Sequence, residues 1–211
     1  MSHMGRGAWH IRGTRGDGHI ASEPRMIAAM SERDDDDLPA AGDDDPGNGD
    51  RWEAAQEGAE LLREGDVEGA VRELTSVVTR EPDNEYAFFF LGAAHFEAGR
   101  FDKAMKAYLR AAEIKPGYLG ALAGVGHSLR MLGKHDEALR VAKQILLKSK
   151  DDPDGLYLAG LAFYARGEAA AAMRYLERYL ATRPELESQN EAMGLLEILR
   201  GRFDSMDPDA S

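Results

Sequence analysis

The six histidines are the side chains of this sequence best suited to metal binding or acid–base chemistry, and their spacing supports neither. They are His3, His10, His19, His95, His127 and His135. No two of them stand four residues apart, the spacing that would place two imidazoles on one helix face for a zinc ion. Cysteine is absent, which excludes thiolate metal sites, disulfides and thiol catalysis. The sequence therefore predicts no metal and no cofactor.

Motifs for other kinds of catalysis are also missing from the sequence. The glycines do not have the spacing of a nucleotide-binding loop, and no serine stands in a nucleophile elbow. Asp151 and Asp152 are adjacent acids, but Pro153 follows them, which predicts a helix start capped by Asp152 rather than an acid–base pair. We therefore expect a protein that is not an enzyme.

Two pairs of aromatic residues have the spacing of a helix face. Phe89 and Phe96 are seven residues apart, and so are Tyr157 and Tyr164. Seven residues make two helical turns, so the members of each pair lie on one side of a helix. Such a side either packs into a core or binds a partner, and the sequence leaves both alternatives open.

A repeat of 34 residues places these aromatics on helices. Its first marker is a set of glycines, Gly58, Gly92, Gly126 and Gly160. We expect them to face small residues of the following helix, because closely crossing helices leave little room; these are Ala70, Ala104, Ala138 and Ala172. A second set of glycines should end the first helix of each repeat in the left-handed conformation: Gly65, Gly99, Gly133 and Gly167. Apolar residues at three- and four-residue steps predict a second helix after each of these turns.

The repeat resembles the tetratricopeptide-repeat family over residues 51–203, and prolines at Pro82, Pro116 and Pro184 fit the same period. The resemblance implies an all-α, right-handed α-solenoid of four helix-turn-helix repeats, at 51–84, 85–118, 119–152 and 153–186. A capping helix is predicted over 186–200, followed by a flexible tail at 204–211. We expect Met193, Leu196 and Leu199 to face the last repeat, with Glu191 and Glu197 on the wetter side of the cap.

The family's first helices line a concave groove that usually takes an extended peptide or a helix of another protein. By the family's register, the groove is lined by places 2, 5, 9 and 12, counted from the first residue of each repeat. The candidate partner-binding residues are Trp52, Tyr86, Phe89, Phe96, His127, Arg130, Asp154, Tyr157, Leu161 and Tyr164. Some members clamp chaperone tails with Lys, Asn and Arg, but the matching places here hold Ala55, Ala59, Phe90, Gly120 and Gly124.

The resemblance implies a non-catalytic module that binds a peptide or helix of another protein, as an adaptor, a scaffold or a chaperone-like protein. An alternative is a self-assembling structural protein, a homo-oligomer in which the N-terminal arm or the cap of one copy fills the groove of its neighbour. Mutation of groove aromatics separates these hypotheses from simple core packing, which is the third interpretation of the same residues.

The charge of the chain is concentrated before the repeats. The net charge is −12, and residues 31–50 hold nine acidic residues against one arginine. This composition predicts a disordered arm over 1–50, and the lack of a basic footprint argues against nucleic-acid binding. The acidic run is either a solvating tail or an arm that meets basic residues of a partner or of this chain. The basic candidates in this chain are Lys103, Lys106, Arg110, Arg140, Lys143, Lys148 and Lys150.

The N-terminus suggests how the sequence begins and where the protein resides. Residues 1–29 are interpreted as an upstream or vector-derived extension, because Ser2-His3-Met4 resembles a cloning remnant and Met30 a natural start. No apolar run is long enough to span a bilayer, and no secretory signal is recognised. We therefore expect a cytoplasmic protein.

Overall fold

The computed structural model describes residues 47–204, and the regular elements within that range are helices. In chain order they are α1 (Asn48–Arg63), α2 (Val67–Arg80), α3 (Glu85–Glu97), α4 (Phe101–Ile114), α5 (Leu119–Met131), α6 (His135–Lys148), α7 (Pro153–Ala165), α8 (Ala169–Ala181) and α9 (Leu186–Asp204). The predicted all-α solenoid is confirmed. The predictions made for residues 1–46 and 205–211 lie outside the described residues.

Helices α1 to α8 form four hairpins that stack one on another. The second helix of each hairpin packs against its own first helix and against the first helix of the next hairpin. The first helices α1, α3, α5 and α7 also contact one another in sequence, whereas the described second helices make no comparable contacts among themselves. The first helices therefore line the inner side of the curved stack, and we call their surface the inner face. The surface of α2, α4, α6 and α8 is the outer face.

The helix boundaries follow local chemistry. Gly65, which follows α1, has φ +86°, and a Cβ there would meet nothing within 4 Å, so the requirement for glycine is conformational. Its amide donates to the Leu62 carbonyl at 3.0 Å and the Asp66 amide donates to Leu61 at 2.9 Å, which satisfies carbonyls at the helix end. The equivalent glycines of the other three repeats also have positive φ, as the sequence predicts.

Side chains cap the helices at the predicted starts. The Asp66 carboxylate accepts a hydrogen bond from the Gly69 amide at 2.9 Å, and that of Asp152 accepts one from Gly155 at 2.8 Å. Helix α1 begins at Asn48, before the predicted boundary at residue 51. The negative charge of Asp50 in its first turn interacts favourably with the positive end of the helix dipole. Helix α9 continues past the predicted end at residue 200 as far as Asp204, and Gly201 lies within the helix instead of ending it in the left-handed conformation.

The small-residue sites differ in detail from the expectation. A Cβ on Gly58, Gly92 or Gly160 would lie within 3.0 Å of a large side chain, respectively Leu74, Tyr108 and Leu176, rather than of the predicted alanines. The alanines are themselves fully buried. Gly126 meets Leu158 of the next repeat instead, since Ala142 stands where the other repeats have the large residue. Each glycine therefore makes room for a bulky neighbour.

Among the helices described, none combines the length and the apolar character that crossing a bilayer demands.

Candidate functional site

The ten predicted partner-binding residues all belong to first helices of the stack, and the structure divides them by exposure. Five are buried, namely Tyr86, Phe89, Phe96, His127 and Leu161. The other five are half-buried, namely Trp52, Arg130, Asp154, Tyr157 and Tyr164. The candidate residues of the inner face are therefore less exposed than those of an open aromatic groove, and their exposure differs from one repeat to the next.

Phe89 lies at the centre of an aromatic cluster between repeats two and three. Its ring stacks on Tyr118 with centroids 5.0 Å apart, and Tyr108 and Phe90 approach it at 5.6 and 5.3 Å. Only 6% of Phe89 is exposed. A ring covered on several sides by its own chain stabilises the stack, and little of its surface is left for a partner.

The N-terminal end of the inner face is covered by Trp52. Its ring lies 5.5 Å from that of Tyr86 and 5.7 Å from that of Phe90, measured between centroids. The ammonium of Lys115 lies 5.4 Å from the Tyr86 centroid, within cation–π range. Two helices, α1 and α3, are joined by these rings. Phe96 is likewise engaged, with the Phe101 ring 5.1 Å away.

A buried polar network, which sequence reasoning missed, fixes this end of the stack. Glu85 is 2% exposed, and its carboxylate accepts from Arg51 Nε at 2.9 Å and lies 3.7 Å from Lys115 Nζ. Asn84 caps α3 through the Ala87 amide, and its own amide group donates to the Arg51 carbonyl at 2.8 Å. The sequence contains one signal for this network: the oppositely charged Arg51 and Glu85 both hold place 1, in consecutive repeats.

The C-terminal end of the inner face mixes aromatic and polar groups. The Tyr157 ring lies 4.8 Å from Tyr179 and 6.3 Å from the His127 ring. Burial first, and then the negative charge of the nearby Glu191 carboxylate of α9, raise the pKa of Tyr157 well above its usual value. Helix α9 therefore comes close to Tyr157 on the inner face, but part of the Tyr157 side chain remains exposed.

His127 is a buried imidazole beside this mixed region. Burial first, and then the positive charge of Arg130, lower the pKa of His127 to about 3. The ring is therefore neutral near pH 7, and its Nδ1 has no hydrogen-bond partner within residues 47–204. Arg130 itself is half-buried and lies one helical turn after His127. We define the C-terminal site as His127, Arg130, Asp154, Tyr157 and Tyr164.

Helix α9 closes the stack with a stripe formed by Ala192, Leu196 and Leu199, all buried. Glu191 and Glu197 are exposed, as predicted. The expectation for Met193 is wrong: this side chain is 41% exposed, because it lies one residue, about 100° of helix rotation, from the buried stripe. It borders a cleft of about 270 Å³ between α8 and α9 whose lining also includes Leu180 and Arg200.

Residues 47–204 bring no three histidine or carboxylate side chains together in a metal-binding arrangement.

Comparisons with known proteins identify the family of this chain. The model of the Tetratricopeptide repeat family matches residues 56–118 and 126–187. A TPR repeat-containing protein of Methanocaldococcus jannaschii is 30% identical over 110 residues, which is 52% of this chain and 19% of that protein. The chain spans between 6% and 25% of the length of the curated relatives that it matches.

Solved structures are similar in fold. The structure of MamA, residues 41 to the end, from Desulfovibrio magneticus RS-1 has a TM-score of 0.60 at 19% identity, covering 76% of this chain and 87% of that one. A thermophilic TPR protein of Thermus thermophilus has a TM-score of 0.61 at 20% identity, covering 72% of this chain and 82% of that one. At these identities the similarity shows the shared fold alone.

Proposed function

Because the chain belongs to the tetratricopeptide repeat family, we propose that it is a non-catalytic binding protein that holds a segment of a partner protein at the C-terminal site of its inner face. The observation that carries this proposal is where the half-buried candidates gather: four of the five, Arg130, Asp154, Tyr157 and Tyr164, lie on the neighbouring helices α5 and α7, whereas Trp52 is the one half-buried candidate on α1 and α3. A partner can add contact only where surface remains.

The chemistry of the C-terminal site favours an extended segment that carries a carboxylate and an apolar side chain. Arg130 supplies a guanidinium that pairs well with a carboxylate in a half-buried setting. The Tyr157 and Tyr164 rings supply apolar contact, and aromatic residues with an arginine are frequent hot spots of interfaces.

Peptide selection against the full chain tests this function. A displayed library of random peptides is selected on the wild type, and the dissociation constant of each selected peptide is then measured for Arg130→Ala and Tyr164→Ala. We expect binding to weaken roughly 30-fold or more for peptides that use a hot spot, the equivalent of about 2 kcal/mol.

Leu147→Ala is the matched control for this experiment. Leu147 is 88% exposed on α6 of the outer face, so its loss should leave every dissociation constant unchanged. The proposal fails if selection yields no peptide, or if the Leu147 variant loses binding to the same extent as the Tyr164 variant.

Self-assembly is the second candidate function, and it has an observation of its own. Helix α9 exposes Leu186, Met193 and Ile198 at 72%, 41% and 49%, and apolar side chains of that size on an end helix suit contact with another copy. Sedimentation of the wild type beside Met193→Glu/Ile198→Glu tests it: a concentration-dependent oligomer should be lost in the variant. A wild type that stays monomeric removes this candidate.

A further inference from the structure

Four basic residues form a regular ladder along the outer face. Place 22 of the successive repeats holds Arg72, Lys106, Arg140 and Arg174, each 34 residues from the next. They lie on α2, α4, α6 and α8, and all four are exposed. The two residues of this ladder nearest the N-terminus, Arg72 and Lys106, lie on consecutive second helices.

The ladder is not neutralised by its surroundings. Within residues 47–204 no ion pair is formed by any of its four members, whereas other arginines of the domain are paired. The acids one turn before Arg72 and Arg140 are Glu68 and Asp136, and these pair with Arg100 and Arg166 of the following repeat. For Arg72 and Arg140, the stacking contacts thereby engage the carboxylates that an isolated helix would offer to them. Lys106 has the exposed Asp102 one turn before it, without an ion pair between the two.

An extended polyanion fits a row of positive charges that repeats at regular steps. The chain itself carries one, because residues 31–50 hold nine acids against one arginine, with the runs Asp34 to Asp37 and Asp43 to Asp45. A single exposed ion pair contributes little, but several pairs along one strand act together, and salt screens all of them.

The geometry allows the segment to reach the ladder. Asp37 precedes the start of α1 at Asn48 by a stretch that spans about 36 Å when extended. Helix α2 ends at Arg80, and Asn84 just after it donates to the Arg51 carbonyl of the first turns of α1 at 2.8 Å, so the start of α1 lies close to the end of α2. Arg72 lies only about 12 Å back along α2 from that end, at about 1.5 Å per residue. The reach exceeds the distance along the helix by about threefold.

We propose that the acidic segment of residues 34–45 docks on the basic ladder of its own chain, on Arg72 and Lys106. The docked segment neutralises the outer face of the first two repeats and competes there with any acidic partner. This role is separate from the inner face, so it does not depend on the function proposed above.

The absence of cysteine makes the test direct, because one introduced cysteine is the only labelling site of the chain. A nitroxide on Ala41→Cys is used with amide NMR of the full chain. At about 0.02 M salt, where screening is weak, we expect relaxation of the amides around Arg72 and Lys106 to rise at least severalfold. At about 0.5 M salt, where screening is strong, the effect should disappear.

The controls decide whether the ladder is the docking site. Arg72→Glu/Lys106→Glu should abolish the effect, whereas Arg63→Glu/Lys134→Glu, which changes the charge equally at exposed positions outside the ladder, should keep it. No effect at low salt, or an effect that survives in the ladder variant, overturns the proposal. Mixing labelled and ¹⁵N-labelled chains detects docking between copies, which would also overturn it.

Discussion

Phe89 and Tyr157 hold the same place, the fifth, in repeats two and four, yet their surroundings differ. Phe89 is covered by Tyr108 and Tyr118, which occupy places 24 and 34 of its repeat. The same places of repeat four hold Leu176 and Leu186, and Leu186 is 72% exposed and covers little. One end of the inner face is therefore sealed by its own aromatics, and the other end is left half-open.

The comparison shows that the position of a residue in a repeat sets its direction but not its exposure. Place 5 lies on a first helix of the stack in each repeat. In repeats two and four, the exposure of the place-5 ring depends on the side chains that pack on it. Tyr108 and Tyr118 cover Phe89, whereas Tyr157 has Tyr179 beside it and keeps part of its surface. Four measurements test this difference, beginning with the largest expected effect.

The sealed end should be sensitive to loss of its central ring. Phe89→Ala removes a buried side chain packed against three aromatic rings, so we expect a loss of about 3–5 kcal/mol in the free energy of unfolding. Urea denaturation followed by circular dichroism measures it. Tyr164→Ala, at the half-open end, is the matched variant and should lose less than half as much; equal losses would contradict the comparison.

The buried ion network is the second test of the sealed end. Glu85→Gln keeps the side-chain volume but removes the charge between Arg51 and Lys115. Breaking a buried pair costs more than breaking an exposed one, and partial exposure of the two cations moderates the cost to about 2–3 kcal/mol. Glu113→Gln, which breaks the exposed pair with Arg110, should change the unfolding free energy by less than about 0.5 kcal/mol. Similar values for the two variants would refute the role of Glu85.

Close packing between helices of one hairpin gives a third test. A Cβ on Gly92 would lie 2.8 Å from the Tyr108 ring, so Gly92→Ala should cost about 2 kcal/mol by overpacking. Gly194→Ala in α9 is the control, because nothing lies within 4 Å of its Cβ and alanine is the better helix former by about 1 kcal/mol. Thermal melts should move in opposite directions for the two variants, and a shared direction would contradict this account.

The smallest expected effect is a pH dependence at the half-open end. The folded pKa of His127, about 3, lies below the 6.5 of a free imidazole, so the unfolded chain takes up a proton that the folded chain does not. The contribution of His127 to the free energy of unfolding is fully present above about pH 6.5 and decreases as the pH falls toward 3. Urea midpoints at about pH 7 and pH 5 should reveal a loss of about 1–2 kcal/mol, and His127→Leu should reduce it. An undiminished loss in the variant would exclude His127 as its source.

Much of the fold could be predicted from the sequence, because local rules determine it. The left-handed turn at Gly65 and the cap at Asp152 each depend on residues within a few positions. The exposure of the site could not be predicted in this way. The cover over Phe89 comes from Tyr108 and Tyr118 of two other segments, and the carboxylate that raises the pKa of Tyr157 belongs to Glu191 of the cap.

The neighbours of the small residues could not be predicted for the same reason. The sequence predicts that Gly92 faces Ala104, and the atoms nearest to a Cβ on Gly92 belong to Tyr108, one turn further along α4. Spacing identifies which sides of two helices meet, but which residue reaches a glycine depends on side-chain length. The wrong prediction for Met193 has a second cause. Which side of α9 faces the last repeat depends on the rotation of the helix about its axis, and short sequence patterns do not determine that rotation.

Mapping a selected peptide on the full chain by amide NMR tests the central claim most directly. The account predicts that shifts on binding cluster on α5 and α7, around Arg130, Tyr157 and Tyr164, while the amides around Phe89 and Trp52 stay unchanged. Shifts centred on α1 and α3 instead would contradict it, because they would place the partner at the end of the inner face that the chain's own aromatics cover.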